Sequence, residues 1–138
     1  MIKFKKGKEM IKISNAQKKL IEKQVLALAS SDLNNKPNVV AVACCKVVAK
    51  DKILVTDNFM NKTRKNLLVN KNVALAVWSK DGEEGYQFKG KAEYLTSGKW
   101  KKMVDEDPDN KGLAHKGAVL VTIGEIWDLA EPKLIGKR

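Results

Sequence analysis

The sequence predicts a mainly β domain of the α+β type, a barrel of about six strands with three short helices plugging its ends or gaps. Three observations lead there. Short apolar, β-branched runs recur between clusters of turn residues, which is the signature of strands. Helical periodicity is confined to brief stretches around Leu20, Thr63 and Trp100. The 138 residues, 43% of them hydrophobic, suit one domain with its own core.

Ser14-Asn15-Ala16-Gln17 has the form of a capping box, so a helix begins near Asn15; Leu20, Ile21, Val25 and Leu28 carry its apolar stripe to about Ala29. Leu33-Asn34-Asn35-Lys36-Pro37-Asn38 is turn chemistry, and Pro37 opposes further helix. The apolar run 39–48 predicts a strand buried on both faces or nearly so. Lys50-Asp51-Lys52 then turns the chain into a strand over 53–56, which makes a hairpin. A polar turn over 57–62 leads to a helix opening at Thr63. A second hairpin pairs 73–79 with 86–95, where Tyr86, Phe88 and Gly90 alternate with Gln87, Lys89 and Lys91, so one face is wet. Ser97 is placed to cap a helix carrying Trp100, Met103 and Val104, which ends before the acidic turn 105–109. A last strand covers 118–129. In domain terms, 1–13 reads as a basic N-terminal extension, 14–130 as the barrel domain and 131–138 as a tail.

The net charge of +11 raises the question of a nucleic-acid partner, because basic surfaces release counterions when they neutralise phosphates. All the basic residues except Arg64 and Arg138 are lysines, however, spread along the chain, and lysine lacks the planar fork used in specific base and phosphate recognition. Nucleic acid is therefore not the expected partner. Lys3, Lys5, Lys6 and Lys8 lie ahead of Met10, an alternative start. No stretch reaches the roughly 18 to 20 consecutive apolar residues of a membrane span, and the N-terminus lacks an apolar signal region, so the cytoplasm is the expected compartment.

Conventional catalytic sets are missing. Cys44 and Cys45 are neighbours in one strand and point to opposite faces, which suits buried small hydrophobes better than a disulfide or a redox pair. His115 is the single histidine and reads as a solvated loop residue, so no two-histidine metal site exists and no metal is expected. Neither Gly-x-Ser-x-Gly, nor Gly-x-Gly-x-x-Gly, nor a Walker-type phosphate loop occurs. The acidic turn lacks the glycine and terminal glutamate of a calcium loop.

Residues 53–77 carry the strongest functional signal. Strand, polar turn, helix start and strand follow one another, placing Lys62, Thr63, Arg64 and Lys65 where unpaired N–H groups and the positive end of the helix dipole favour an anion. That is a phosphate site in outline. An ordinary threonine cap beside solvated lysines is the competing reading.

The series Asn61-Lys62-Thr63-x-x-Asn66-Leu67, followed by Asn72-Val73-Ala74-Leu75-Ala76-Val77-Trp78, resembles the FMN-binding split barrels related to pyridoxamine 5′-phosphate oxidase, and within them the small FMN-binding proteins. The resemblance runs from about residue 20 to 129. It implies an FMN-binding split β-barrel, FMN as cofactor, and a pocket between the subunits of a homodimer. It further implies that main-chain groups around Ala41, Val42, Ala43 and Cys44 meet the flavin, that Val55, Thr56 and Asp57 line the ring and ribityl chain, and that Lys62 and Thr63 hold the phosphate. Gln87 would reach the ring, although its register is displaced by about two residues. Oxidases of the family begin the flavin strand with an arginine that this strand lacks, and they end in an arginine-containing segment with no counterpart here. Both departures argue against vitamin B6 oxidation. No general acid or base is evident, so electron transfer or flavin-dependent oxidoreduction with an unidentified small-molecule or protein partner is the function implied. The alternatives are a deazaflavin- or haem-binding protein of the same fold, a basic binding module, and a cofactor-less dimer.

Overall fold

A computed structural model of the chain describes residues 11–137; the alternative start and the four lysines ahead of it lie outside the described residues. In chain order the elements are α1 (Asn15–Lys23), β1 (Leu26–Ser31), β2 (Pro37–Val42), β3 (Cys45–Ala49), β4 (Lys52–Asp57), α2 (Lys62–Val69), β5 (Asn72–Trp78), β6 (Gly85–Leu95), α3 (Lys99–Glu106), a 3-10 turn (Pro108–Asn110), β7 (Gly117–Asp128) and β8 (Lys133–Lys137). The strands form one antiparallel sheet in the order β2-β1-β5-β6-β7-β4-β3, with β8 added beside β7.

That order dictates a closed shape. β2 and β3 stand at opposite ends of the strand path, yet only Ala43 and Cys44 separate them in the chain. Three residue steps span at most about 11 Å, so the sheet must curl until its two edges meet. Neither edge pairs with the other. The result is a barrel split along one seam, with Ala43 and Cys44 crossing it.

Phe88, Leu75, Leu28, Ile53, Val55, Val119 and Ile123 fill the interior. They alternate with outward residues along their strands, as a period of two requires. A smaller cluster of Leu54, Val104, Ala118 and Leu120 sits under α3. At the bulge where β6 meets β7, a Cβ on Gly90 would run into the Thr122 carbonyl, so only glycine allows that approach.

Ser14 caps α1 as expected: its hydroxyl accepts from the Gln17 N–H at 3.1 Å, and the Gln17 side chain accepts from the Ser14 N–H at 2.9 Å. The helix stops at Lys23 rather than continuing to Ala29. Leu26, Leu28 and Ser30 are buried in alternation, and β1 is paired on both sides, by β2 and β5; this ladder outweighs the helical propensity of its leucines and alanines. The expected single strand over 39–48 is two strands, one on each side of the seam. β2 is not buried on both faces but alternates exposed and half-buried residues, because it lies at a sheet edge. Gly98, with φ of +89°, replaces Ser97 as the residue before α3, and no side chain caps that helix. Part of the expected C-terminal tail, Lys133–Lys137, extends the sheet as β8. Ile11 and Ile13, ahead of the expected domain boundary, are buried in the main core.

Candidate functional site

The seam opens into a cleft of about 390 Å³. Val40, Ala41 and Val42 of β2, Ala43 and Cys44 at the crossing, and Thr56 near the end of β4 form its base. Asn58, Phe59 and Met60 of the β4–α2 loop, together with Leu113, complete its walls. None of these side chains is charged. A second cleft, of about 240 Å³, lies between the start of β2 and α2 and is lined by Asp32, Lys36, Pro37, Asn38, Lys62, Lys65 and Asn66. The two follow one another along the same elements: Asn38 faces one and Val40 the other, as do Lys62 and Met60. Charge is thus segregated, with an uncharged slot at the seam and a lysine-rich end at the helix start.

Thr63 is not the helix cap. Asn61 occupies that position and makes no side-chain cap bond, so the first-turn N–H groups of α2 gain no partner from it. Thr63 lies in the first turn, only 1% exposed, and its Oγ1 accepts from Asn38 Nδ2 at 3.0 Å. A hydroxyl that accepts one bond still has a proton to donate. Lys62 and Lys65 are exposed beside it. Asp32 shares that cleft but forms no ion pair with either lysine among the described residues: its carboxylate accepts the N–H groups of Asn34 and Lys36, and those bonds lower its pKa. Asn66 and Asn70 donate to Ser30 and Ser31, which pins α2 onto β1.

Thr56 faces the seam cleft, its N–H donating to the Cys44 carbonyl at 3.0 Å and its hydroxyl accepting from Asn110 Nδ2, also at 3.0 Å. Asn110 also donates to the Val104 carbonyl, while its buried Oδ1 has no hydrogen-bond partner among the described residues. Cys44 lines the cleft as a free thiol; burial, then Asp107 and Asp109, raise its pKa and keep it protonated. Cys45 points into the core, where burial pushes its thiol up to about 12.

The predicted site residues divide into groups. Ala41, Val42, Ala43, Cys44 and Thr56 line the seam cleft, and Lys62 lines the second cleft with Thr63 buried next to it in α2. Val55 is a core side chain. Asp57 is fully buried, with its carboxylate bonded to the Met60 N–H and the Tyr94 hydroxyl. Gln87 sits on β6 opposite Ala76 and Trp127 and lines neither cleft. Asn38, Asn58, Phe59, Met60 and Leu113 were not evident from sequence. Asn38 reads there only as the end of a Pro-Asn turn, and nothing local signals that its amide reaches Thr63. His115, expected to be solvated, has partners: its Nδ1 lies 2.8 Å from Asp105 and its N–H donates to Asn58 Oδ1 at 2.8 Å.

The class of fold is a split antiparallel barrel, with an uncharged cleft at its seam and a basic, uncapped helix start beside it. The chain belongs to the pyridoxamine 5′-phosphate oxidase family, whose profile matches residues 13–130. It is 36% identical to the uncharacterized protein MJ0282 of Methanocaldococcus jannaschii, over 95% of this chain and 90% of that protein. Among crystal structures, HupZ of Group A Streptococcus superposes with a TM-score of 0.83 at 22% identity, covering 90% of this chain and 99% of that one. An FMN-binding protein of Syntrophomonas wolfei superposes with a TM-score of 0.71 at 19% identity, covering 93% and 91%. At such identities the two structures speak for the fold.

Proposed function

We propose that the protein binds FMN at the seam and uses it for electron transfer or oxidoreduction, in a site completed by a second copy of the chain. The carrying observation is Thr63: a buried hydroxyl with a proton to spare, beside Lys62, at a helix start no side chain caps. A phosphate monoester satisfies all three features, accepting from the hydroxyl and the first-turn N–H groups while pairing with the lysine. The uncharged slot suits a planar, largely apolar ring, and its volume falls in the range of small-molecule sites, about 300 to 1,000 Å³. Main-chain groups of Ala41 to Cys44 and the Thr56 side chain would orient that ring. Bound FMN supplies the electron chemistry; the chain supplies anchoring, orientation and exclusion of water.

The second copy is favoured by what the rim exposes. Val39 on edge strand β2 is 65% exposed and Phe59 82%, with Leu113 also exposed. Such apolar groups around a cleft, beside a strand whose outer edge has no strand partner among the described residues, suit burial against another chain. Titration with FMN and riboflavin, which share the ring but not the phosphate, tests the reading. FMN should bind about one per chain and at least about tenfold more tightly than riboflavin. Equal affinities would overturn it.

A further inference from the structure

The β4–α2 loop, residues 58–60, supplies one wall of the seam cleft and delivers the chain to Lys62 and Thr63. Its two ends are held by polar contacts, and three of the residues that make them, Asp57, Tyr94 and Lys116, line neither cleft. Asp57, fully buried, accepts the Met60 N–H at 2.8 Å through one carboxylate oxygen and the Tyr94 hydroxyl through the other. The Met60 carbonyl accepts from Lys116 Nζ at 3.1 Å, so both polar groups of this residue are fixed. The Asp57 carbonyl accepts the Lys116 N–H at 2.7 Å, and Asn58 Oδ1 accepts the His115 N–H at 2.8 Å. Gly117 leaves room for the Tyr94 ring and hydroxyl, which a Cβ there would have to displace. Arg64, in the first turn of α2, lies 5.5 Å from the centre of that ring. The loop is therefore held from two directions, by Asp57 at the end of β4 and by Tyr94, His115 and Lys116 on the β6–β7 side of the barrel.

We infer that Asp57, with Tyr94 and Lys116, is a positioning unit that holds loop 58–60 and the start of α2 in register, so that the seam cleft and the phosphate end are presented together. Core packing alone does not demand this arrangement. A buried carboxylate is costly unless its oxygens are paired, and here the pairing is directed at the peptide that leads to Thr63. Holding two subsites in fixed relation reduces what a ligand must spend on ordering the loop. The inference rests on the FMN reading and extends it to residues outside both clefts.

The test compares FMN with riboflavin on Asp57→Asn, Tyr94→Phe, Lys116→Met and Lys116→Arg, with thermal unfolding of each ligand-free variant. Tyr94→Phe and Lys116→Met should remain folded and lose about tenfold in FMN affinity, with riboflavin changing much less, because phosphate contacts tolerate misplacement worse than ring burial does. Lys116→Arg keeps a donor for the Met60 carbonyl and should restore most of the preference. If Asp57→Asn does not fold, the Lys116 pair still decides. Folded Tyr94→Phe and Lys116→Met proteins with the wild-type ratio of FMN to riboflavin affinity overturn the positioning role and leave the FMN reading standing. A wild-type protein with no preference for FMN overturns the FMN reading, and the positioning role falls with it.

Discussion

Replacing Thr63 by valine removes one hydroxyl at nearly constant shape and separates two consequences. Thr63 is 1% exposed and its oxygen accepts from Asn38 at 3.0 Å. Asn38 is half-buried and can recover water, so the lost neutral bond should cost about 1 kcal/mol of stability. The cost to FMN is larger if the same hydroxyl donates to phosphate. A charge-assisted hydrogen bond contributes about 1.5 to 3 kcal/mol, which converts to roughly tenfold to a hundredfold in affinity at about 1.4 kcal/mol per decade. Riboflavin, having no phosphate, should bind the variant as it binds the wild type. Fluorescence titration of both ligands against both proteins isolates the hydroxyl–phosphate coupling as the difference of differences. The reasoning is refuted if FMN affinity is unchanged, or if FMN and riboflavin weaken by the same factor.

Lys62→Ala should weaken FMN by about tenfold at low ionic strength and by less in high salt, while Lys71→Ala, the same charge change away from the helix start, leaves affinity alone in the same titrations. Gly90→Ala places a methyl against the Thr122 carbonyl, a main-chain atom that cannot rotate away, and should destabilise the fold by about 1 to 3 kcal/mol in urea unfolding. Burial, then the bond to Asp57, push the Tyr94 phenol up to about 12. The folded value exceeds the ordinary phenol value of about 10, so this contribution to stability is complete below pH 10 and is lost as pH rises toward 12. Spectrophotometric titration should show a late phenolate step that Tyr94→Phe removes.

Much of the barrel was legible because its two long hairpins, β3–β4 and β5–β6, are local and marked by turn residues. Ser14 and Gln17 identified the start of α1 for the same reason: a capping box is complete within four residues. What escaped depends on distant partners. Leu26 and Leu28 fit a helical stripe and a strand equally well until β2 and β5 flank them. The division of 39–48 into two strands follows from closure of the barrel, and no local break in that apolar run announces it. At the site, Lys62 and Thr63 were visible as a cation and a hydroxyl at a helix start. The Asn38 amide reaches Thr63 across 25 positions of sequence, and Tyr94 reaches Asp57 across 37. Spacing along the chain carries no trace of either.

Strand β2, which lines the seam cleft, is also an edge of the sheet with no strand partner on its outer side among the described residues, so in the proposed arrangement one run of residues would serve both cofactor retention and self-association. Thermodynamic linkage then makes the two reciprocal: whatever pairing with a second copy does for FMN affinity, FMN does for pairing. Dilution becomes a reagent. If the proposed pairing and FMN site hold, dilution through the dissociation constant of the pair should release flavin and raise its fluorescence, and added FMN should shift that midpoint to lower protein concentration. A substitution of Val39 that blocks association would then turn the protein colourless without touching Lys62 or Thr63.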